Sequence, residues 1–115
     1  MAQVQSFYKG DEVKFSIDLQ APGFSMDDNN FDIEVTSSGG GSVKASKNAP
    51  SADNALVIFK EGEGEQGTWY AIVDTTNLGD GDLRVIATAH VPDVNANDGI
   101  RRQSEKQKLG VLQKR

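Results

Sequence analysis

Cysteine is missing from all 115 residues. Its absence removes disulfides, thiol nucleophiles, zinc-thiolate centres and iron-sulfur clusters together, because each needs sulfur. Histidine occurs once, at His90, so any Ser-His-Asp arrangement would have to run through that ring. No window approaches the roughly 20 consecutive apolar residues of a membrane-spanning helix. The opening Met1 to Gly10 has no basic flank followed by an apolar run, so no secretory signal is read there and use without export by that route is expected. An apolar i, i+3, i+4, i+7 stripe also fails to last for three helical turns.

What is present is alternation. Val13, Phe15, Ile17 and Leu19 are interleaved with Lys14, Ser16 and Asp18, the period of a strand with one buried face. Phe31, Ile33 and Val35 repeat the pattern, Val43 and Ala45 repeat it more weakly, and Leu83, Val85, Ala87, Ala89 and Val91 form one face of a long strand that Pro92 ends. Leu56 to Phe59 and Trp69 to Val73 are short apolar runs joined by a glycine-rich loop, and read as a hairpin. The Ser37 to Ser42 segment, with three glycines, predicts another. At 115 residues one domain is expected, since domains commonly hold about 100 to 150. Six or seven such strands predict an all-β, two-layer antiparallel β-sandwich.

Charge is unevenly spread. Residues 1–100 carry six basic and sixteen acidic side chains, whereas residues 101–115 carry Arg101, Arg102, Lys106, Lys108, Lys114 and Arg115 against Glu105 alone. Alternation stops in that last segment, and apolar residues return only at Leu109, Val111 and Leu112. The division expected is therefore a sandwich over residues 1–100 followed by residues 101–115 as a basic C-terminal arm or a final edge strand. An arm of this charge would lie on an acidic protein surface, a sister copy included, in preference to nucleic acid, because the acidic body would oppose phosphate.

Several motifs invite chemistry and read more simply. Gly62-Glu-Gly-Glu-Gln-Gly67 matches the dinucleotide-binding spacing, but that motif works by opening a helix whose amides meet a pyrophosphate. Here β-branched and aromatic residues follow, and three glutamates in the segment from Glu61 would repel phosphate, so a hairpin loop is expected. Asp93-Val-Asn-Ala-Asn-Asp98-Gly99 is near a calcium loop but places glycine seventh instead of sixth and Ser104 at the twelfth position. A polar turn is the expectation. Asp27-Asp-Asn-Asn30 reads as a solvated loop. His90 falls opposite the apolar face of its strand, where sequence suggests no orienting partner for catalysis. Trp69 and Tyr70 must face opposite ways, one to the core and one outward. Tyr70, Phe24 and His90 are therefore interface candidates beside Arg101, Arg102, Lys106, Lys108, Leu109, Val111 and Leu112.

Tyr8-Lys-Gly-Asp-Glu-Val-Lys-Phe15 resembles the KGD-x-V-x-F opening of many immunoglobulin-like domains. Leu78-Gly-Asp-Gly-Asp-Leu83 resembles their late L-x-x-G-x-Y corner, with Leu83 in the tyrosine position. His90-Val-Pro-Asp, followed by Asp98-Gly-Ile-Arg101, is similar to the ending of small immunoglobulin-like structural domains of tailed phages, among them baseplate upper proteins, head-fibre proteins and capsid auxiliary proteins, including those of crAss-like phages. The resemblance spans Tyr8 to about Arg101. It implies an immunoglobulin-like antiparallel β-sandwich of about seven strands. It also implies a non-enzymatic component of a phage virion, such as a capsid auxiliary or head-fibre subunit or a tail or baseplate part. Its partners would be other virion proteins and copies of itself, without cofactor, metal or membrane, and with nucleic acid and small molecules set aside. The alternative class is a carbohydrate-binding or adhesion module stacking sugars on Trp69 or Tyr70.

Overall fold

The computed structural model describes residues 5–48, 55–63 and 67–114. Gly64, Glu65 and Gln66 of the glycine-rich run, and Arg115, lie outside the described residues. All regular structure among the described residues is extended: β1 (Ser6–Tyr8), β2 (Glu12–Ile17), β3 (Phe31–Ser37), β4 (Ser42–Ser46), β5 (Leu56–Glu61), β6 (Thr68–Asp74), β7 (Gly81–Pro92) and β8 (Ile100–Gln113). The described residues form eight strands where six or seven were expected. The addition is β1, whose three residues are too few to show a period.

The strands form two sheets, one of five in the order β1-β8-β7-β3-β4 and one of three in the order β2-β6-β5. All pairings are antiparallel except β1 with β8, where Ser6, Phe7 and Tyr8 run parallel to Val111, Leu112 and Gln113. Both expected hairpins form, as β3-β4 and β5-β6. The inward residues of β2, β3, β5, β6 and β7 meet between the layers, with Phe31, Ile33, Val35, Leu56, Val73 and Leu83 fully buried. Burial of this apolar layer, at about 25 cal/mol per Å², is the main drive holding the two sheets together.

The apolar runs at β5 and β6 prove to alternate as well. Leu56, Ile58, Ala71 and Val73 are buried, whereas Val57, Phe59, Tyr70 and Ile72 stand on the outer face. Between β3 and β4 the chain turns through Gly39, and a Cβ there would lie 1.9 Å from the backbone oxygen of Asp80. Only glycine lets this turn and the β6-β7 loop touch backbone to backbone.

Of the two alternatives expected for the C-terminal segment, the described residues form the edge strand: β8 pairs with β7 from Ile100 to Leu112. One irregularity explains why its pattern escapes detection. Leu83 pairs with Gly110 but Arg84 pairs with Lys108, so Leu109 is an extra residue, a β-bulge. Before the bulge, Arg101, Gln103, Glu105 and Gln107 oppose the inward residues of β7; after it, Gly110 and Leu112 do. The first set is exposed because the three-stranded sheet does not extend over it. The second set is buried.

Candidate functional site

The sandwich is closed along one side, where β4 runs beside β5, and open along the other. There, among the described strands, β2 has β6 as its one partner, and β8 meets β1 only from Val111 onward. Two strand edges thus face solvent across a groove of about 230 Å³. Its floor holds Phe15, Ile17, Val85 and Ala87, and its rim on β8 holds Glu105, Lys106 and Gln107. Unpaired edges offer a ladder of amides and carbonyls, and an apolar floor between them favours a further extended segment.

The cations of β8 are matched mainly within the chain. Arg101 Nε lies 3.2 Å from Asp93 Oδ2, Arg102 lies 3.0 Å from Asp98 and Lys108 lies 3.4 Å from Asp82. The acidic surface expected to receive this basic segment is therefore, in large part, its own domain. The same contacts occupy the calcium-like loop. Asp93 also accepts the amide of Asn95 and Asp98 that of Ile100, and the Arg102 hydrogen bond followed by the Ile100 amide holds the Asp98 carboxyl below the ordinary aspartate range. Among the described residues no three His, Cys, Asp or Glu side chains gather as a metal site would require.

A second feature is the outer face of the three-stranded sheet. Phe59 and Tyr70 are cross-strand partners with ring centroids 6.0 Å apart, and Lys14 Nζ lies 4.5 Å from the Tyr70 ring. Val57 and Ile72 are the next pair. These four form a small apolar strip in which Tyr70 already has one ring face against Phe59.

Trp69 points the other way, as expected. Its ring meets the Phe31 ring edge-on at 5.5 Å, and Lys47 and Lys60 sit 5.6 and 6.0 Å from its centroid. Its Nε1 donates to Asp27 Oδ1, which also accepts from Lys60 Nζ. Neighbouring side chains therefore occupy the Trp69 ring, leaving it less suited to sugar stacking. The Asp27 loop, expected to be merely solvated, is tied further by Lys47 Nζ, which donates to the backbone oxygens of Met26, Asp27 and Asn29.

His90 has a partner that sequence did not suggest. Its Nε2 shares a 2.9 Å hydrogen bond with Asp32 Oδ2 on the neighbouring strand β3. The hydroxyls of Thr88 and Ser104 share another, of 2.8 Å, on the same outer face. An oriented imidazole near hydroxyls has the ingredients of general-base chemistry. These hydroxyls bond to each other, however, and the group lies on a sheet face instead of lining the groove between β2 and β8.

The remaining interface candidates divide. Arg101, Arg102, Lys106 and Lys108 are exposed on β8. Leu112 is a core residue, 1% exposed, since the bulge turns it inward. Leu109 and Phe24 are half-buried against the core, Phe24 with its ring edge-on to Phe31. Val111 is held in the ladder with β1.

Comparison with known proteins finds no matching family model, no curated relative and no matching solved structure.

Proposed function

We propose that the chain is an immunoglobulin-like structural module of a tailed-bacteriophage virion, working by protein-protein assembly as a capsid auxiliary or head-fibre subunit, or as a tail or baseplate part. The strand order supports the immunoglobulin-like reading. With β2 to β8 taken as strands B, C, C′, D, E, F and G, one sheet reads B-E-D and the other G-F-C-C′, the arrangement of variable-type domains. Strand β1 then takes the place of a first strand running parallel to the last. The phage assignment rests on the sequence resemblance from Tyr8 to Arg101.

The observation that carries the assembly reading is the open side of the sandwich, where two unpaired strand edges flank an apolar groove. Natural sheets usually cover, shorten or charge such edges. A component held in a particle covers them on assembly. Mass spectrometry of density-purified particles from the producing culture tests the proposal. The chain is expected at a fixed copy ratio to the major capsid or tail protein; its absence from particles, with the protein free in the lysate, overturns it. The carbohydrate-binding alternative loses support from the packing around Trp69.

A further inference from the structure

From Ile100 to Leu109, β8 is bonded to β7 on one side and to no described strand on the other. A free edge of that length is a template for strand addition, and the charges written along it select an occupant.

Consider two copies of β8 paired antiparallel in one continuous sheet. A two-fold axis normal to that sheet keeps every side chain on its own face, so one residue must lie opposite its own copy. Centring on Arg101, Arg102, Lys106 or Lys108 sets that cation against itself. Centring on Ser104 opposes Arg102 to Lys106, centring on Glu105 opposes Arg102 to Lys108, and centring on Gln107 opposes Lys106 to Lys108. Like charges directly opposite are destabilising. Gln103 is the one centre between Arg101 and Lys108 that avoids them all. It places Arg101 opposite Glu105 twice and Arg102 opposite Ser104 twice.

Two further observations fit this centre. The Glu105 side chain has no hydrogen bond or ion pair among the described residues, so it is available for a cation from outside. The paired stretch would run from Ile100 to Lys106 and stop short of Val111, where β1 joins the edge, so β1 need not move. Arg101 would share its guanidinium between its present partners, the half-buried Asp93, the Gln103 side chain and the Pro22 carbonyl, and the second copy's Glu105.

We propose that the chain dimerises through β8, antiparallel and centred on Gln103, joining two five-stranded sheets into one of ten. The proposal goes beyond the virion reading and does not depend on it. A monomeric chain would overturn the dimer alone, and absence from particles would overturn the virion reading alone.

The test uses the full chain. Sedimentation equilibrium should give a dimer. Glu105→Arg should weaken it roughly tenfold, two attractive pairs having become repulsive, and Arg101→Glu combined with Glu105→Arg should restore it. Because the chain has no cysteine, single cysteines report the register directly. Gln103→Cys should give a disulfide-linked dimer on mild oxidation, and Ser104→Cys, which would face Arg102, should not. A monomer at all concentrations, a dimer indifferent to the charge reversals, or crosslinking at Ser104→Cys in preference to Gln103→Cys would each overturn the proposal.

Discussion

Trp69 and Lys60 converge on one oxygen of Asp27, the indole Nε1 at 3.1 Å and the ammonium at 2.8 Å. The Lys60 hydrogen bond, then that of Trp69, lowers the Asp27 pKa from its ordinary 3.8. A carboxylate whose folded pKa is depressed stabilises the fold above the ordinary value, and that contribution disappears as pH falls through the folded value. The emission of Trp69, the single tryptophan, should therefore titrate with a midpoint below 3.8 while the fold persists. Asp27→Asn should abolish the transition. A midpoint at or above the ordinary aspartate value would refute the shared-oxygen account.

Thr75 is fully buried and links two turns. Its hydroxyl donates to the Asp11 carbonyl at 2.8 Å and accepts the Gly10 amide at 3.0 Å. Thr75→Val keeps the shape but takes the acceptor from the Gly10 amide and one of two donors from the Asp11 carbonyl, which keeps the backbone amide of residue 75, so it should cost about 1 to 3 kcal/mol in urea denaturation. An unchanged midpoint would mean that water satisfies them.

Gly110 lets β1 approach β8. A Cβ at this position would lie 2.3 Å from the Gln5 carbonyl oxygen and 3.0 Å from the Phe7 ring. Gly110→Ala should destabilise by about 1 to 3 kcal/mol through overpacking. Hydrogen exchange should accelerate at Lys9 and Val111, whose amides bond across this junction, before it accelerates in β3. Uniform acceleration would place the strain elsewhere.

Leu112 is 1% exposed within the core. Leu112→Ala should cost about 2 to 5 kcal/mol, and truncation after Gly99 should give an unfolded chain, since it removes Leu112 and uncovers the long edge of β7. A folded truncated body, by circular dichroism and a cooperative melt, would contradict the integral role of β8.

Much of the sandwich was legible because β2, β3 and β7 each bury one face and solvate the other, which writes a period of two into the chain. The segment after Ile100 was not, for two physical reasons. Residues before the bulge lie beyond the cover of the three-stranded sheet, so their inward positions can be polar; residues after it reverse parity. The His90 contact was missed because Asp32 lies on another strand, and register between β3 and β7 is not readable from either strand alone. Both residues do fall on the outward parity of their strands, a signal that narrows the partners without choosing one. The Trp69 and Tyr70 division was legible from adjacency, whereas the lysines at the tryptophan face depend on strand register and packing, Lys60 being its cross-strand partner on β5 and Lys47 following β4.

The bulge at Leu109 also bears on how this chain can tolerate length changes. Losing Leu109 itself would make Lys108 and Gly110 consecutive opposite Arg84 and Leu83, turning the bulge into regular ladder with Leu112 still inward, whereas losing one paired residue of β8 would carry a neighbouring stretch to the opposite face. Removing two residues between Arg101 and Lys106 would instead shorten the free rim while preserving which side each later residue occupies. Length variants of this hairpin are therefore expected to differ by even steps ahead of Leu109 or by the loss of Leu109 alone, and to keep the segment from Gly110 to Gln113 intact.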